Sequence, residues 1–193
     1  QQAGLLEKME TGEAVIRTAP AGVDIPLSFE QERLWFLYQL SPDDLAYSIP
    51  IIYRLEGALD VALVLQSITY LVDRHAALRT NVFVRDGVPY QRILPTSDFS
   101  VGFTDLQDLP AAAVERDFSQ LLSDVLFRPF ELESAYLFRA HLVLENDGVY
   151  KLLLNFHHLI HDGWGEQILL EDFSEVYAHL SSGSGSAPKT AAI

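Results

Sequence analysis

The sequence predicts an α/β fold in which a mixed β-sheet is covered by helices. Three observations carry this prediction. Apolar residues recur at helical spacing in several segments, β-branched and aromatic runs lie between them, and two Asp-Gly pairs mark hairpin turns. The predicted order is helix, strand, helix, hairpin, helix, hairpin, helix. Helices that alternate with paired strands in this way bury one face of each element against a shared sheet.

The first two predicted elements are a capped helix and an edge strand. Ser28 and Gln31 form the pattern of a capping box just before an apolar stretch. We therefore predict a helix over Phe29–Leu40. The segment YSIPIIYRLEG, residues 47–57, is rich in β-branched and aromatic residues and predicts a strand. Its Pro50 cannot donate a hydrogen bond, which favours an edge or strand-start position.

The rest of the chain alternates helices with hairpins. Asp60 is predicted to cap a helix whose apolar residues recur at helical spacing. The segment TNVFVRDGVPYQRIL predicts a hairpin that turns at Asp86-Gly87, and helical spacing returns over 110–127. The segment AYLFRAHLVLENDGVYKLLLNFHH predicts a second hairpin, which turns at Asp147-Gly148. A last helix is predicted over about 163–180.

These elements divide the chain into three parts. Residues 1–24 mix charge, Gly and Pro, which predicts a short helix at most and then a linker. Residues 25–180 hold all the elements predicted above and form the folded lobe. Residues 181–193, SSGSGSAPKTAAI, have the composition of a flexible linker. Because the chain begins with Gln1 and ends on this linker, we interpret it as a piece of a longer polypeptide.

Composition and charge exclude several classes of function. The 193 residues are 49% hydrophobic, which is typical of a packed globular protein rather than a disordered chain. Their formal net charge is −14, and phosphate binding needs a cationic surface, so neither a nucleic acid nor an anionic membrane is the expected partner. The chain has no cysteine, which excludes disulfides and Cys-ligated metal sites and suits a cytoplasmic protein.

Three of the six histidines lie in the segment HHLIHDG, residues 157–163, where a predicted strand meets a predicted helix. Side chains alternate along a strand, so His157 and His158 should point to opposite faces. One can then serve a reaction while the other supports the junction. Asp162 is a candidate N-cap, and Gly163 permits a backbone conformation or a close approach that a Cβ would block.

Two chemistries fit this cluster, beside a plain turn with incidental histidines. A histidine with a near-neutral pKa can accept a proton or stabilise a charged intermediate. Alternatively, His157, His161 and Asp162 could bind a metal ion through nitrogen and oxygen, as in a hydrolase. The metal alternative has a difficulty. His157 and His161 share a face only on a helix, whereas the pattern places His157 on a strand.

Three ordered motifs make the chain resemble the condensation domains of nonribosomal peptide synthetases. The family motif HHxxxDG reads HHLIHDG here. The family segment S-x-A-Q-x-R-L-W-x-L is similar to residues 28–37, and R-H-x-x-L-R-T is similar to residues 74–80. The resemblance covers the N-terminal half of such a domain. It implies a chloramphenicol-acetyltransferase-like lobe whose active-site tunnel needs a C-terminal lobe, so the isolated fragment is expected to be inactive.

The resemblance also implies an acyltransferase-type reaction. An upstream carrier (thiolation) domain presents an acyl or peptidyl thioester on a phosphopantetheine arm, and a downstream carrier domain presents an aminoacyl acceptor. An amide bond forms between the two. The implied partners are both carrier domains, the C-terminal lobe and an adenylation domain of the same megasynthase. The lobe itself is expected to bind neither a cofactor nor a metal.

By the family pattern His158 is the catalytic residue. It acts either as a general base or as a group that positions the reactants and stabilises the tetrahedral intermediate. An α-amine with a pKa of about 8 is already partly neutral at pH 7, so we favour the second role. Asp162 is expected to pair with Arg74 or Arg79, and the sequence does not choose between the two arginines.

The remaining motif residues are expected to support the active site. The resemblance implies that His157 supports the fold, that Gly163 lets the backbone approach the reacting carbonyl, and that Trp164 belongs to a wall or to the core. His161 occupies a variable position, and Gly165 stands where many members have Ser. A non-catalytic module that only docks a carrier domain is the alternative function from another class.

Overall fold

A computed structural model describes residues 23–146 and 148–183. Its helices are α1 (Phe29–Leu40), α2 (Val61–Arg74), α3 (Ala111–Leu126) and α4 (Gly163–Ser181). Its strands are β1 (Ile25–Pro26), β2 (Ser48–Glu56), β3 (Thr80–Arg85), β4 (Val88–Ile93), β5 (Gly102–Asp105), β6 (Phe138–Asn146) and β7 (Val149–His157). Every predicted helix and strand within these ranges is confirmed. The predictions for residues 1–22 and 184–193, and the Asp147 position of the second predicted turn, lie outside the described residues.

The strands form two sheets. One sheet has the order β2-β7-β6-β5 and is mixed, because β5 runs parallel to β6 while the other pairs are antiparallel. The predicted first hairpin, β3–β4, instead joins β1 in a separate antiparallel sheet. The α/β class with a mixed sheet is confirmed. β1 and β5 were not predicted, because strands this short hold too few residues for an apolar pattern to repeat.

Local signals placed the first hairpin turn and the helix starts correctly. Asp86 and Gly87 have φ angles of 53° and 79°, and two consecutive residues with positive φ make the tight turn that joins β3 to β4. Ser28 caps α1 in a complete capping box, and the Asp60 side chain accepts a hydrogen bond from the Leu63 N–H at the start of α2. Pro50 lies in β2, at the edge of its sheet, as predicted.

The mixed sheet is covered on both faces. Along β7, Leu152 and Phe156 pack with residues of α2 and α4, whereas Leu153 packs with α3. The buried Asn155 Nδ2 donates to the carbonyls of Val125 and Leu126, at the end of α3. The predicted alternation of side chains along this strand is therefore confirmed. It continues to the end of β7, where the two histidines are adjacent. Within the described ranges, no helix combines the length and the apolar character that crossing a bilayer requires.

Candidate functional site

His158 lies exposed in an open groove at the end of β7. Its backbone N–H donates to the Tyr47 carbonyl at 2.8 Å, which holds the turn against the segment before β2. The groove has a volume of about 740 Å³ and runs between the start of α1 and the start of α4. Its polar lining includes Ser28, Glu30, Gln31, Arg33, His158, His161 and Asp162. The histidine segment and the opening motif, far apart in sequence, thus face one groove.

His157 points away from the groove and is buried, with 6% of the residue exposed. Its Nδ1 accepts a hydrogen bond from the Leu159 N–H at 3.1 Å, so the ring proton belongs on Nε2. Its ring meets Phe130 edge-on. Burial, with a smaller contribution from His158, lowers the pKa of His157 to about 4. His157 is therefore neutral at pH 7 and is bonded to its own turn.

Asp162 caps α4. Its Oδ1 accepts hydrogen bonds from the N–H groups of Trp164 at 3.1 Å and Gly165 at 2.9 Å, which would otherwise lack partners. The predicted N-cap is confirmed.

The predicted pairing of Asp162 with Arg74 or Arg79 is wrong. Arg74 forms an ion pair with Asp172 at 3.2 Å, which ties α2 to α4. Arg79 donates to the backbone carbonyls of Val72, at 2.9 Å, and Leu94, at 2.8 Å. Both guanidinium groups thus have partners near the end of α2, while the Asp162 carboxylate binds the amides of its own helix.

Replacing the Asp162 cap is expected to lower stability. Asp162→Ala should lower the free energy of unfolding by about 1 kcal/mol, because two helix N–H groups lose their acceptor. Asp162→Asn is the matched control and should stay close to the wild type, since asparagine caps helices about as well as aspartate. Urea unfolding of the three proteins measures this. An Asp162→Ala midpoint equal to that of the wild type would contradict a structural Asp162.

The structure also shows the surroundings of two other predicted site residues, Trp164 and Gly163. Trp164 is 82% exposed at the first turn of α4, so its predicted place in the core is wrong. Its predicted place in a wall of the tunnel needs the C-terminal lobe and stays a prediction. At Gly163, a Cβ would meet no atom within 4 Å beyond its chain neighbours and the backbone of its own helix, and the residue is not among those with positive φ. The described part of the protein therefore leaves room for a side chain at Gly163.

His161, whose variable position in the family pattern implies no fixed role, forms part of the groove. Its ring is buried, with 7% of the residue exposed, and stacks on Phe156 with centroids 4.0 Å apart. A Cβ on Gly165 would lie 3.1 Å from His161 Nδ1, so the imidazole occupies the space that a side chain there needs. The sequence did carry a signal for this placement, because Gly165 stands where many family members have serine. Burial lowers the pKa of His161, while nearby Asp162 and Glu166 oppose that shift.

The contact between His161 and Gly165 predicts a coupled pair. Gly165→Ser should lower the free energy of unfolding by about 1–3 kcal/mol, because the added atoms crowd the imidazole. In a His161→Ala background the same change should cost about 1 kcal/mol less, since the space is then free. Urea unfolding of the two single variants and the double variant gives this coupling. If the losses in the free energy of unfolding of the two single variants add up to that of the double variant, the imidazole moves aside without strain.

The residues of the metal alternative do not come together. His157 is buried away from the groove, whereas His161 and Asp162 line it. Across residues 23–146 and 148–183, no three His, Cys, Asp or Glu side chains are grouped so that they could hold a metal ion. The structure thus offers no arrangement that favours this alternative.

A second cavity, of about 200 Å³, lies between the mixed sheet and helices α2 and α4. Most of its lining is apolar, including Leu71, Leu152 and Phe156. Tyr53 and Glu166 also line it and form a hydrogen bond with each other. It holds no histidine, so the groove beside His158 is the better candidate for the reaction site.

Comparison with known proteins gives consistent matches. The family model of the Condensation domain matches residues 23–191. A linear gramicidin synthase of Brevibacillus parabrevis is 39% identical over 177 residues, which cover 89% of this chain and 2% of that protein. Malpinin synthetase of Mortierella alpina is 36% identical over 163 residues, which cover 84% of this chain and 2% of that protein. The chain therefore spans a very small part of these relatives.

Solved structures show the same fold. The starter condensation domain of rhizomide synthetase superposes with a TM-score of 0.76 at 24% identity, over 88% of this chain and 40% of that one. The first condensation domain of the calcium-dependent antibiotic synthetase has a TM-score of 0.72 at 22% identity, with the same coverage of 88% and 40%. The chain thus matches rather less than half of each structure.

Proposed function

This chain belongs to the condensation domain family, and on that premise we propose that it is the N-terminal lobe of a domain that forms peptide bonds. The donor is an acyl or peptidyl thioester and the acceptor an aminoacyl thioester with a free amine. The observation that carries the proposal is that the two adjacent histidines lie in opposite environments. His158 is exposed in the groove, while His157 is buried, neutral and bonded to its own turn.

The proposed reaction is acyl transfer from sulfur to nitrogen. The acceptor amine attacks the thioester carbonyl, a C–N bond forms and the C–S bond breaks. The proton released by the nitrogen ends on the departing sulfur, which leaves as a thiol. His158 faces this centre from the groove. Its proposed task is to orient the amine and stabilise the tetrahedral intermediate. An α-ammonium group with a pKa of about 8 is already partly deprotonated at pH 7, so the nucleophile needs little help from a base. Orientation of two tethered reactants can supply about 7–11 kcal/mol.

The neighbouring residues take supporting roles in this proposal. His157 holds the turn through Leu159, and Asp162 fixes the start of α4. The open space around Gly163 would let a substrate carbonyl approach the backbone, which a side chain would hinder.

The proposed partners are the domains that complete the reaction. They are the C-terminal lobe, two carrier domains and an adenylation domain, in a cytoplasmic assembly. A variant of the related rhizomide starter domain has been solved in complex with C8-CoA, and coenzyme A contains a phosphopantetheine arm. This supports the view that the substrate brings its own phosphopantetheine. A cofactor held by the lobe itself has no place in the proposal.

A transfer assay tests the function. The complete condensation domain that contains this lobe is mixed with a donor-loaded and an acceptor-loaded carrier domain, and the acceptor is analysed by mass spectrometry. A dipeptidyl product on the acceptor carrier is expected. Carrier binding without product would instead support a docking module. The 193-residue chain alone is the control and should give no product, because the proposed tunnel needs both lobes.

A further inference from the structure

We propose that Gln31 is a positioning residue for His158, a role that rests on the proposed function. Gln31 Nε2 donates a hydrogen bond to the Leu159 carbonyl at 3.2 Å, across 128 residues of sequence. Leu159 directly follows His158 in the turn after β7. The amide therefore connects the start of α1 to the backbone that carries the exposed histidine.

The other end of the same amide is also bonded. Gln31 Oε1 accepts a hydrogen bond from the Ser28 N–H at 2.9 Å, which completes the capping box. An N–H donor at one end and a carbonyl at the other fix the orientation of the amide. The capping box accepts glutamate as well as glutamine at this position. Only glutamine can also donate to Leu159, so the link to the turn accounts for the amide.

His158 needs such a link because packing does not hold its ring. The side chain is exposed, so its place in the groove depends on the backbone of its turn. The His158 N–H is held by the Tyr47 carbonyl, and the Leu159 carbonyl is held by Gln31. Misplacement of a reacting group by about 1 Å can cost about 10²-fold in rate. A turn that has lost one of these hydrogen bonds should therefore lower turnover without weakening substrate binding.

Two variants of Gln31 test this in the complete condensation domain. Gln31→Glu keeps the acceptor for Ser28 and loses the donor to Leu159, while Gln31→Met loses both without adding charge. Both are expected to lower kcat about 10-fold, with KM for the loaded carriers unchanged. Gln31→Glu keeps the capping box, so its urea midpoint should fall less than that of Gln31→Met. Gln66→Glu, on the exposed side of α2, adds the same charge elsewhere and should match the wild type.

The outcomes separate positioning from other effects. A loss of kcat confined to Gln31→Glu would indicate the added charge and overturn the proposal. So would kcat within about twofold of the wild type in both variants. Amide hydrogen exchange of residues 158–160 in the 193-residue chain gives a readout that needs no transfer. Faster exchange in both variants supports the link even where the wild-type domain makes no peptide bond, and unchanged exchange overturns it.

Discussion

His158→Ala is expected to lower kcat for dipeptidyl transfer by about 10²–10⁴-fold in the complete condensation domain, the range that a positioned catalytic side chain supplies. The variant should bind loaded carriers normally, because the proposed task of His158 lies in the transition state. The measurement is product formation on the acceptor carrier under single-turnover conditions. A rate equal to that of the wild type would remove His158 from the catalytic machinery.

The structure predicts that this variant folds. The His158 side chain is exposed, and the hydrogen bond that His158 makes to Tyr47 comes from its backbone, which alanine retains. An unchanged urea midpoint is therefore expected beside the lost activity. His157→Ala is the matched neighbour and should lower stability instead, because it empties a buried site and leaves the Leu159 N–H without its acceptor.

A further substitution distinguishes the two roles left open for His158. His158→Gln keeps a hydrogen-bonding group of similar reach but cannot take up a proton at neutral pH. Substantial retained activity would support positioning and electrostatic stabilisation. Activity as low as that of His158→Ala at every pH would instead support a general base.

The elements that the sequence predicted are those governed by local physics. The capping residues Ser28, Asp60 and Asp162 set helix starts because their side chains meet N–H groups only two or three residues away. The prediction that His157 and His158 point to opposite sides was correct, because successive side chains of a strand point to opposite faces of the sheet. Each of these signals is complete within a few residues.

The errors concern contacts between distant segments. Arg74 and Arg79 were expected to meet Asp162, but their choice of partner depends on where the end of α2 lies, and there Asp172 and backbone carbonyls are nearer. The exposure of Trp164 depends likewise on the rotation of α4. The link from Gln31 to Leu159 spans most of the chain. A single sequence carries no local signal for any of these contacts.

The stability of the chain is expected to fall when the pH drops below about 6.5. An ordinary histidine of the unfolded chain has a pKa near 6.5 and takes up a proton there. Burial holds the pKa of His157 in the folded chain at about 4, so the folded state binds that proton only at much lower pH. The unfolded state therefore gains protons first, and the free energy of unfolding decreases between about pH 6.5 and pH 4.

The size of this effect follows from the pKa difference. One pKa unit corresponds to about 1.4 kcal/mol, so His157 alone accounts for a loss of about 3 kcal/mol across that range. Burial also lowers the pKa values of His141 and His161, which adds in the same direction. Most of the loss from His157 precedes the titration of ordinary carboxylates near pH 4. Urea unfolding at pH 7.5, 6 and 5 measures it.

A neutral substitute separates His157 from the other titrating groups. His157→Asn offers an acceptor for the Leu159 N–H but takes up no proton, so its stability should fall less steeply between pH 7.5 and 5. Equal slopes in the two proteins would show that His157 does not control the acid response.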